Sequence, residues 1–385
     1  MQFDKKNTLL IPLWEGNTVY RETVMFVGAN DRAPLLFAPQ EILCVTDYGG
    51  EIIYVQGEDF VLNEDGTLSL TEATRIPFLT EQEFYHDNPS SIISVPHNGK
   101  DTFIYWGEGT SMTRWQLAVT YTHKAAETLP IPTDFSYRYA PFFKKLKEGK
   151  NATVYFFGDS ITAGANASYT CQTAPHMLPW TSLFAEQIAK KFSYTLHYQK
   201  LDIPRMPSYP PETDYPFGDR GKLTFINTAV GGWRTKHGIE HLEERVLKPI
   251  AVYGCDLFVF GFGMNDGRLT SEEYIANTRL IIDRILEVCP DAAILLIATM
   301  FPNPDAPRWH INQTSFEGPL LALAEEYAAR GVPCAVAPMT SMSKAVLTRK
   351  RFHDYSANNI NHPNDFMIRL YAQTLLRTVL GDEVL

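Results

Sequence analysis

Val154-Tyr155-Phe156-Phe157-Gly158-Asp159-Ser160-Ile161-Thr162 decides the fold class of this chain. The apolar run reads as a buried strand, and the Gly-Asp-Ser turn that ends it opens into a glycine-containing loop. In an open parallel sheet the chemistry gathers beyond the carboxyl ends of the strands, so Ser160 stands where such a fold presents a nucleophile. On its own, Gly-Asp-Ser reads as a solvated turn capping the next helix. The flanking sequence has to separate the two readings.

Downstream, strands alternate with helices. Further strand-like runs lie at Leu223 to Asn227, Leu257 to Phe260, Ile294 to Ala298 and Cys334 to Ala337. Thr270, with Glu273 three residues on, makes a capping box ahead of a helix whose inner face carries Ile275, Thr278, Ile282 and Ile285. Trp180, Leu183, Phe184 and Ile188 form the stripe of another helix, and Leu320 to Arg330 form a third that stops at Gly331. Regular βα alternation with apolar strands predicts a parallel sheet covered on both faces. The proline- and tyrosine-rich stretch from Leu201 to Gly221 reads as a long irregular loop of the kind that shapes a substrate site.

Upstream, the pattern is different. Short strand-like runs separated by turn signals occupy the chain up to about Thr122, including Val19 to Val27, Leu35 to Phe37, Ile52 to Val55, Phe60 to Leu62, Phe103 to Trp106 and Trp115 to Tyr121. The last alternates, with Trp115, Leu117, Val119 and Tyr121 on one face and Gln116, Ala118 and Thr120 on the other, which predicts a half-buried strand. Asn63-Glu64-Asp65-Gly66 reads as a hairpin connection. The sequence therefore predicts a jelly-roll-like β-sandwich domain over residues 1–123, then a linker and lead-in helix over 124–149, and an α/β domain over 150–385.

Composition narrows the function. The chain has 385 residues, and 34 basic against 44 acidic residues give a net charge of −10, which argues against nucleic acid as a partner. No stretch approaches the roughly 18 apolar residues of a membrane span, and the start Met1-Gln2-Phe3-Asp4-Lys5-Lys6 lacks a signal-peptide core, so no membrane and a cytoplasmic location are expected. Five cysteines without metal spacing suit a reducing compartment, and neither a metal nor another cofactor is expected. His237 and His241 have i, i+4 spacing but no intervening Glu or third ligand, which favours a solvated helix face over a metal pair. The Asn-x-Ser/Thr triplets at Asn151, Asn166 and Asn312 read as chance matches in a chain without a secretory signal.

Four short motifs fall where such a sheet would bring them to one edge. Ser160 follows the first strand, Gly231-Gly232-Trp233 the second and Gly263-Met264-Asn265-Asp266 the third, while Asn361-His362-Pro363 precedes the last helix. Each residue type has a chemical task. A serine hydroxyl needs a base, and His362 is the natural one because an imidazole titrates near neutrality. Attack on a carbonyl places negative charge on oxygen, which the N–H groups of Gly232 and Ser160 and the amide of Asn265 could receive.

These blocks resemble those of the SGNH hydrolases, also called the GDSL esterase/lipase superfamily: Gly158-Asp159-Ser160, Gly232, Gly263-Met264-Asn265-Asp266 and His362-Pro363, in the family's order over roughly residues 150 to 380. The resemblance implies a flavodoxin-like three-layer domain with Ser160 as nucleophile, His362 as base, and Ser160, Gly232 and Asn265 as the oxyanion hole. A β-sandwich ahead of such a domain is similar to two-domain carbohydrate acetylesterases of that superfamily. It implies a serine esterase that removes small acyl groups, acetyl above all, from a small-molecule or oligosaccharide ester through an acyl-enzyme intermediate. The alternatives are an arylesterase or lysophospholipase-like acyl hydrolase and, from another class, a carbohydrate-binding protein with a decayed hydrolase domain. The β-domain could bind glycan, close over the site or build a homo-oligomer.

One position departs from the pattern. The last block is normally DxxH, yet Asn359 stands three residues before His362. An acid there would hold the imidazole tautomer and stabilise the imidazolium. Three readings follow: Asn359 Oδ1 or a backbone carbonyl orients His362 in a Ser-His dyad, which is the preferred one; Asp354 folds in; or the site is impaired. Asp159 is expected to brace its turn, and Asp365 to begin the closing helix.

Overall fold

The computed structural model describes residues 10–88, 94–307, 309 and 311–384, so the amino-terminal stretch read above for a leader lies outside the described residues. The amino-terminal part is antiparallel. Its strands are β1 (Thr18–Met25), β2 (Arg32–Ala33), β3 (Pro39–Asp47), β4 (Ile53–Tyr54), β5 (Phe60–Leu62), β6 (Leu68–Leu70), β7 (Tyr85–His86), β8 (Ser94–Pro96), β9 (Phe103–Tyr105) and β10 (Gln116–His123). They form a four-stranded sheet in the order β1-β10-β3-β4 and two three-stranded sheets, β2-β6-β5 and β7-β9-β8. Asn63 to Gly66 joins β5 to β6, with Gly66 at φ 82°, the left-handed conformation such a turn needs. Leu35 to Phe37, read as a strand, is buried without entering a sheet.

The carboxyl-terminal part is a three-layer α/β domain. Its strands are β11 (Ala152–Gly158), β12 (Thr195–Tyr198), β13 (Thr213–Pro216), β14 (Lys222–Asn227), β15 (Leu257–Gly261), β16 (Ala293–Ala298) and β17 (Cys334–Pro338), in the order β13-β12-β14-β11-β15-β16-β17. The five strands legible in the sequence run parallel in the flavodoxin-like order two-one-three-four-five. Two strands extend the edge beyond them: β12 pairs parallel with β14, and β13 pairs antiparallel with β12. β13 corrects the reading of Leu201 to Gly221 as wholly irregular; Thr-Asp-Tyr-Pro has no apolar alternation because it is an edge strand with half its side chains in solvent.

β11 is buried at all seven positions because helices cover both of its faces. Val154 and Phe156 pack with the helix Trp180–Phe192 and the closing helix Asp365–Leu380. Tyr155 and Phe157 point to the opposite core, with the helix Ser271–Val288. Thr270 caps that helix in a full capping box with Glu273, as the sequence predicts; its buried face is Tyr274, Thr278, Ile281, Ile282 and Ile285, with Ile275 only partly covered. No described helix is long and apolar enough to cross a membrane.

The two parts share one core. The apolar cluster around Val154 and Phe156 runs without a break into Val19, Val24, Val45, Leu117, Val119 and Tyr121 of the sandwich. β10 is consequently buried on both faces rather than one. Its second face, read as the solvent side, meets the α/β domain: Gln116 Nε2 donates to the carbonyls of His353 (2.7 Å) and Ser356 (2.8 Å). Glu22 and Lys350 form a fully buried ion pair across the same junction, and Asp354 Oδ1 accepts from Met25 N at 3.0 Å. The connecting stretch is packed too, with Leu129, Tyr139, Phe142 and Leu146 in that core and the Tyr139 hydroxyl donating to the Ile294 carbonyl at 2.9 Å.

Candidate active site

The turn that carries Ser160 depends on two glycines held back to back. Gly158 of β11 pairs with Gly261 of β15, and a Cβ on Gly158 would lie 2.4 Å from both the Gly261 carbonyl oxygen and Thr162 Oγ1. The missing side chains let Thr162 Oγ1 donate to the Gly261 carbonyl at 2.9 Å, tying the turn to the next strand. Asp159 caps the one-turn helix Ser160–Ala163 by accepting from Ile161 N at 3.0 Å. Burial pushes its carboxyl up to about 7. It braces the turn, as the sequence predicts.

Ser160 and His362 meet at the sheet edge: Ser160 Oγ lies 2.9 Å from His362 Nε2. Each is 8% exposed, so the pair is largely buried. The second block reaches the same place, since a Cβ on Gly231 would lie 3.8 Å from Ser160 Cβ, while the space beside Gly232, at φ 78°, is open. Asn265 Nδ2 donates to the Trp233 carbonyl at 2.9 Å and so borders that glycine turn. Ser160 follows β11 and Asn265 follows β15, the strands on either side of the point where the strand order reverses.

None of the groups considered for orienting His362 holds its Nδ1. Asn359, the residue in the place of the acid, donates through Nδ2 to the Tyr105 carbonyl at 2.7 Å, and its Oδ1 accepts from Asn303 Nδ2 at 3.2 Å. At φ 60° its backbone is left-handed, a conformation asparagine tolerates, and it carries the side chain to the sandwich instead of the imidazole. Asp354 is held by Arg351 and by Met25 N. Burial opposes its ionisation, but Arg351 and then Lys350 overcome this and hold its carboxyl at about 2.

The partners of Nδ1 are Asn166 Oδ1 at 2.7 Å and Glu108 Oε2 at 3.1 Å. With Nε2 accepting from the serine hydroxyl, the ring proton sits on Nδ1 and is donated to these two oxygens. Glu108 is a β-sandwich residue, 254 positions from His362 in sequence. Burial works against its ionisation, yet the bond and the charge of His362 hold its carboxyl below the ordinary range. Asn358 Oδ1 accepts from the backbone N–H groups of Ile360, Asn361 and His362 at 2.9–3.0 Å and so folds the loop that delivers the imidazole. Sequence reading missed Glu108, Asn166 as a partner, and Asn358. The Gly107-Glu108-Gly109 loop and the run of asparagines before His362 are the only local signals, and neither names its contact.

Other candidates take packing roles. His237 and His241 both stack on Trp233, with ring centroids 6.0 and 4.8 Å away, and no group of three or more metal-ligating side chains occurs among the described residues. Trp180 and Met264 are buried, and Trp180 Nε1 donates to the Ile161 carbonyl at 2.9 Å beneath the nucleophile turn. Asp266 accepts from Thr235 N and Oγ1. Asp365 begins the closing helix, with Asn364 as its cap, and accepts from Ser168 N at 3.0 Å. A cavity of about 390 Å³, lined by Met177, Leu183, Tyr215, Phe217 and Arg369 among others, includes neither Ser160 nor His362.

Residues 206–367 match the GDSL-like lipase/acylhydrolase family, a span that contains Gly232, Asn265 and His362 and begins after the strand and turn that carry Ser160. No curated protein matches the chain in sequence. Among solved structures it is similar to a two-domain esterase active on acetylated mannans (20% identity, 64% of this chain and 53% of that one, TM-score 0.45). It thus spans about half the length of that protein. It is also similar to an acetylxylan esterase from Geobacillus stearothermophilus (15% identity, 60% and 96%, TM-score 0.42). The α/β part of this chain is thus similar, over residues 206–367, to the GDSL-like lipase/acylhydrolase family.

Proposed function

We propose that the chain is a serine esterase that hydrolyses small acyl esters, acetyl first among them, on a carbohydrate. The observation that carries the reading is the 2.9 Å contact of Ser160 Oγ with His362 Nε2 beside the Gly231–Gly232 turn. His362 Nε2 takes the hydroxyl proton as Ser160 Oγ bonds to the carbonyl carbon, and the carbonyl oxygen becomes an oxyanion facing the N–H groups of Ser160 and Gly232 and the Asn265 amide. Collapse breaks the bond to the alcohol oxygen, which takes the proton from His362 and leaves an acyl-serine. Water then attacks, gives its proton to Nε2, and the Oγ–carbon bond breaks as Ser160 regains a proton and the acid departs.

The burial of Ser160, 8% exposed, favours a short acyl chain, and the sandwich-plus-hydrolase architecture supports a carbohydrate as the alcohol part. Nitrophenyl esters of increasing chain length and acetylated oligosaccharides, assayed beside Ser160→Ala, test both. We expect turnover of acetyl esters, a steep fall with chain length, and a loss of at least about a thousandfold in Ser160→Ala. Equal rates in the two proteins would refute the esterase, and a preference for long acyl chains would refute the acetyl assignment.

A further inference from the structure

Nδ1 of His362 faces two acceptors with unlike chemistry and unlike origins. Asn166 Oδ1, at 2.7 Å, comes from the loop after the nucleophile and is neutral; Glu108 Oε2, at 3.1 Å, comes from the loop between β9 and β10 and is a carboxylate. A single aspartate performs two tasks at such a position: it holds the ring tautomer, and it places negative charge beside the imidazolium that forms during the reaction. Here the nearer acceptor performs the first task without a charge. The charge has to come from elsewhere.

The Glu108 loop is built to present that side chain. Gly109 is at φ 67°, and a Cβ on Gly107 would lie 2.6 Å from Ser111, so the turn closes only with glycine there. Ser111 Oγ donates to the Glu108 carbonyl at 2.8 Å and fixes its backbone from below. The far carboxylate oxygen, Oε1, accepts from Asn358 Nδ2 at 3.1 Å, which leaves Oε2 turned to the imidazole. Asn166 Nδ2 donates to the Gly109 carbonyl at 3.4 Å, so the two acceptors brace each other across the domain junction. The neighbouring carboxylates are engaged elsewhere: Asp159 with Ile161 N, Asp365 with Ser168 N, and Asp354 with Arg351 and Met25 N.

We propose that Glu108 is the positioning residue that supplies the charge of this catalytic triad, delivered by the β-sandwich, while Asn166 holds the tautomer. The inference rests on the serine-esterase reading above. Two residues from two parts of the chain then do what one aspartate does in a DxxH block, and the hydrolase domain is incomplete without the sandwich. Because the Glu108 side chain is 53% exposed, solvent screens part of its field, and the effect of its charge is smaller than that of a buried aspartate.

The test uses the full chain with Glu108→Gln, which removes the charge and leaves one acceptor oxygen, enough for Asn358 Nδ2 but not for the imidazole as well, while Asn166 Oδ1 still accepts from Nδ1. We expect kcat to fall about tenfold with KM within about twofold, since the charge acts on the imidazolium and not on bound substrate. The acid limb of the kcat/KM profile should move about half a pH unit to one unit lower, because losing a nearby negative charge makes the ring easier to deprotonate. Asp159, on the nucleophile turn, is unchanged in the variant and contributes equally to both profiles. Adding Asn166→Asp, which puts a carboxylate at the nearer acceptor, should restore both kcat and the limb. A Glu108→Gln enzyme with wild-type kcat and an unmoved limb would overturn the proposal. So would a loss of kcat with an unmoved limb that Asn166→Asp does not repair, since that is the behaviour of a purely structural residue. An NMR titration of the His362 ring in the two proteins reads the same interaction without any substrate: a lower midpoint in Glu108→Gln supports the assignment and an unchanged one overturns it, even if the ester panel shows no turnover.

Discussion

Asn359 Nδ2 donates to the Tyr105 carbonyl at 2.7 Å, so the residue three positions before the histidine ties the His362 loop to the β-sandwich. Restoring the aspartate of the DxxH pattern should therefore do harm. Asn359→Asp loses the donor and sets a carboxylate against a buried carbonyl, and should cost about 2–3 kcal/mol with no gain in kcat. Urea unfolding together with steady-state kinetics checks this; a faster enzyme would show that the new acid reaches His362.

Arg205 Nη2 donates to the Gly231 carbonyl at 3.0 Å. In a trans peptide the carbonyl and the following N–H point in opposite directions, so holding this oxygen fixes the aim of the Gly232 N–H. Arg205→Ala should lower kcat about tenfold while leaving KM and the melting temperature nearly unchanged. A variant with full kcat would remove Arg205 from the oxyanion machinery.

Gly158 and Gly261 touch through backbone alone. Gly158→Ala would drive a methyl group into the Gly261 carbonyl and Thr162 Oγ1, each 2.4 Å from the new carbon, and should destabilise by more than about 2 kcal/mol. The fall should appear in Tm as well as in activity. Unchanged stability would mean that β11 and β15 can separate without cost.

Asp354 makes stability depend on pH in the acid range. Its carboxyl is depressed from 3.8 to about 2, so its contribution is complete above about pH 4 and is lost as pH falls through about 2. Asp354→Asn should cost about 3 kcal/mol near neutrality, because the partly buried Arg351 loses one of its two carboxylate partners and keeps only Asp31. The same variant should flatten the stability profile between pH 4 and 2, as measured by urea unfolding.

Asp159 works in the opposite sense. Its carboxyl is raised from 3.8 to about 7, so the folded state holds the proton more tightly than the unfolded one, and stability falls as pH rises from about 4 to about 7. Asp159→Asn keeps the acceptor for Ile161 N. It should match the wild type below pH 4 and exceed it by about 1–3 kcal/mol above pH 7. Equal stability at pH 8 would count against a buried, proton-holding carboxyl.

Local sequence carried much of the fold because the signals were local. The run Val154 to Phe157 is apolar on both faces and β11 is covered on both faces; Thr270 and Glu273 lie three residues apart and cap each other. The same holds for the serine, the glycine turn, Asn265 and His362, since a parallel sheet brings the loops after its strands to one edge whatever the details of packing. β10 shows where such reasoning stops. Its alternation reports two faces of different polarity, but Gln116 meets the α/β part and Thr120 accepts from Arg21 N of β1, and periodicity does not distinguish a polar interface from solvent.

The amino-acid sequence by itself determined a flavodoxin-like parallel sheet with Ser160 and His362 at one edge, because those choices rest on periodicity, turn chemistry and chain order. Only the tertiary structure decided what holds the far side of the imidazole. That contact joins Glu108 and Asn166 to His362 across 254 and 196 positions, through a junction of two domains with one core, and no spacing in the chain encodes which side chains such a junction brings within hydrogen-bond distance of each other.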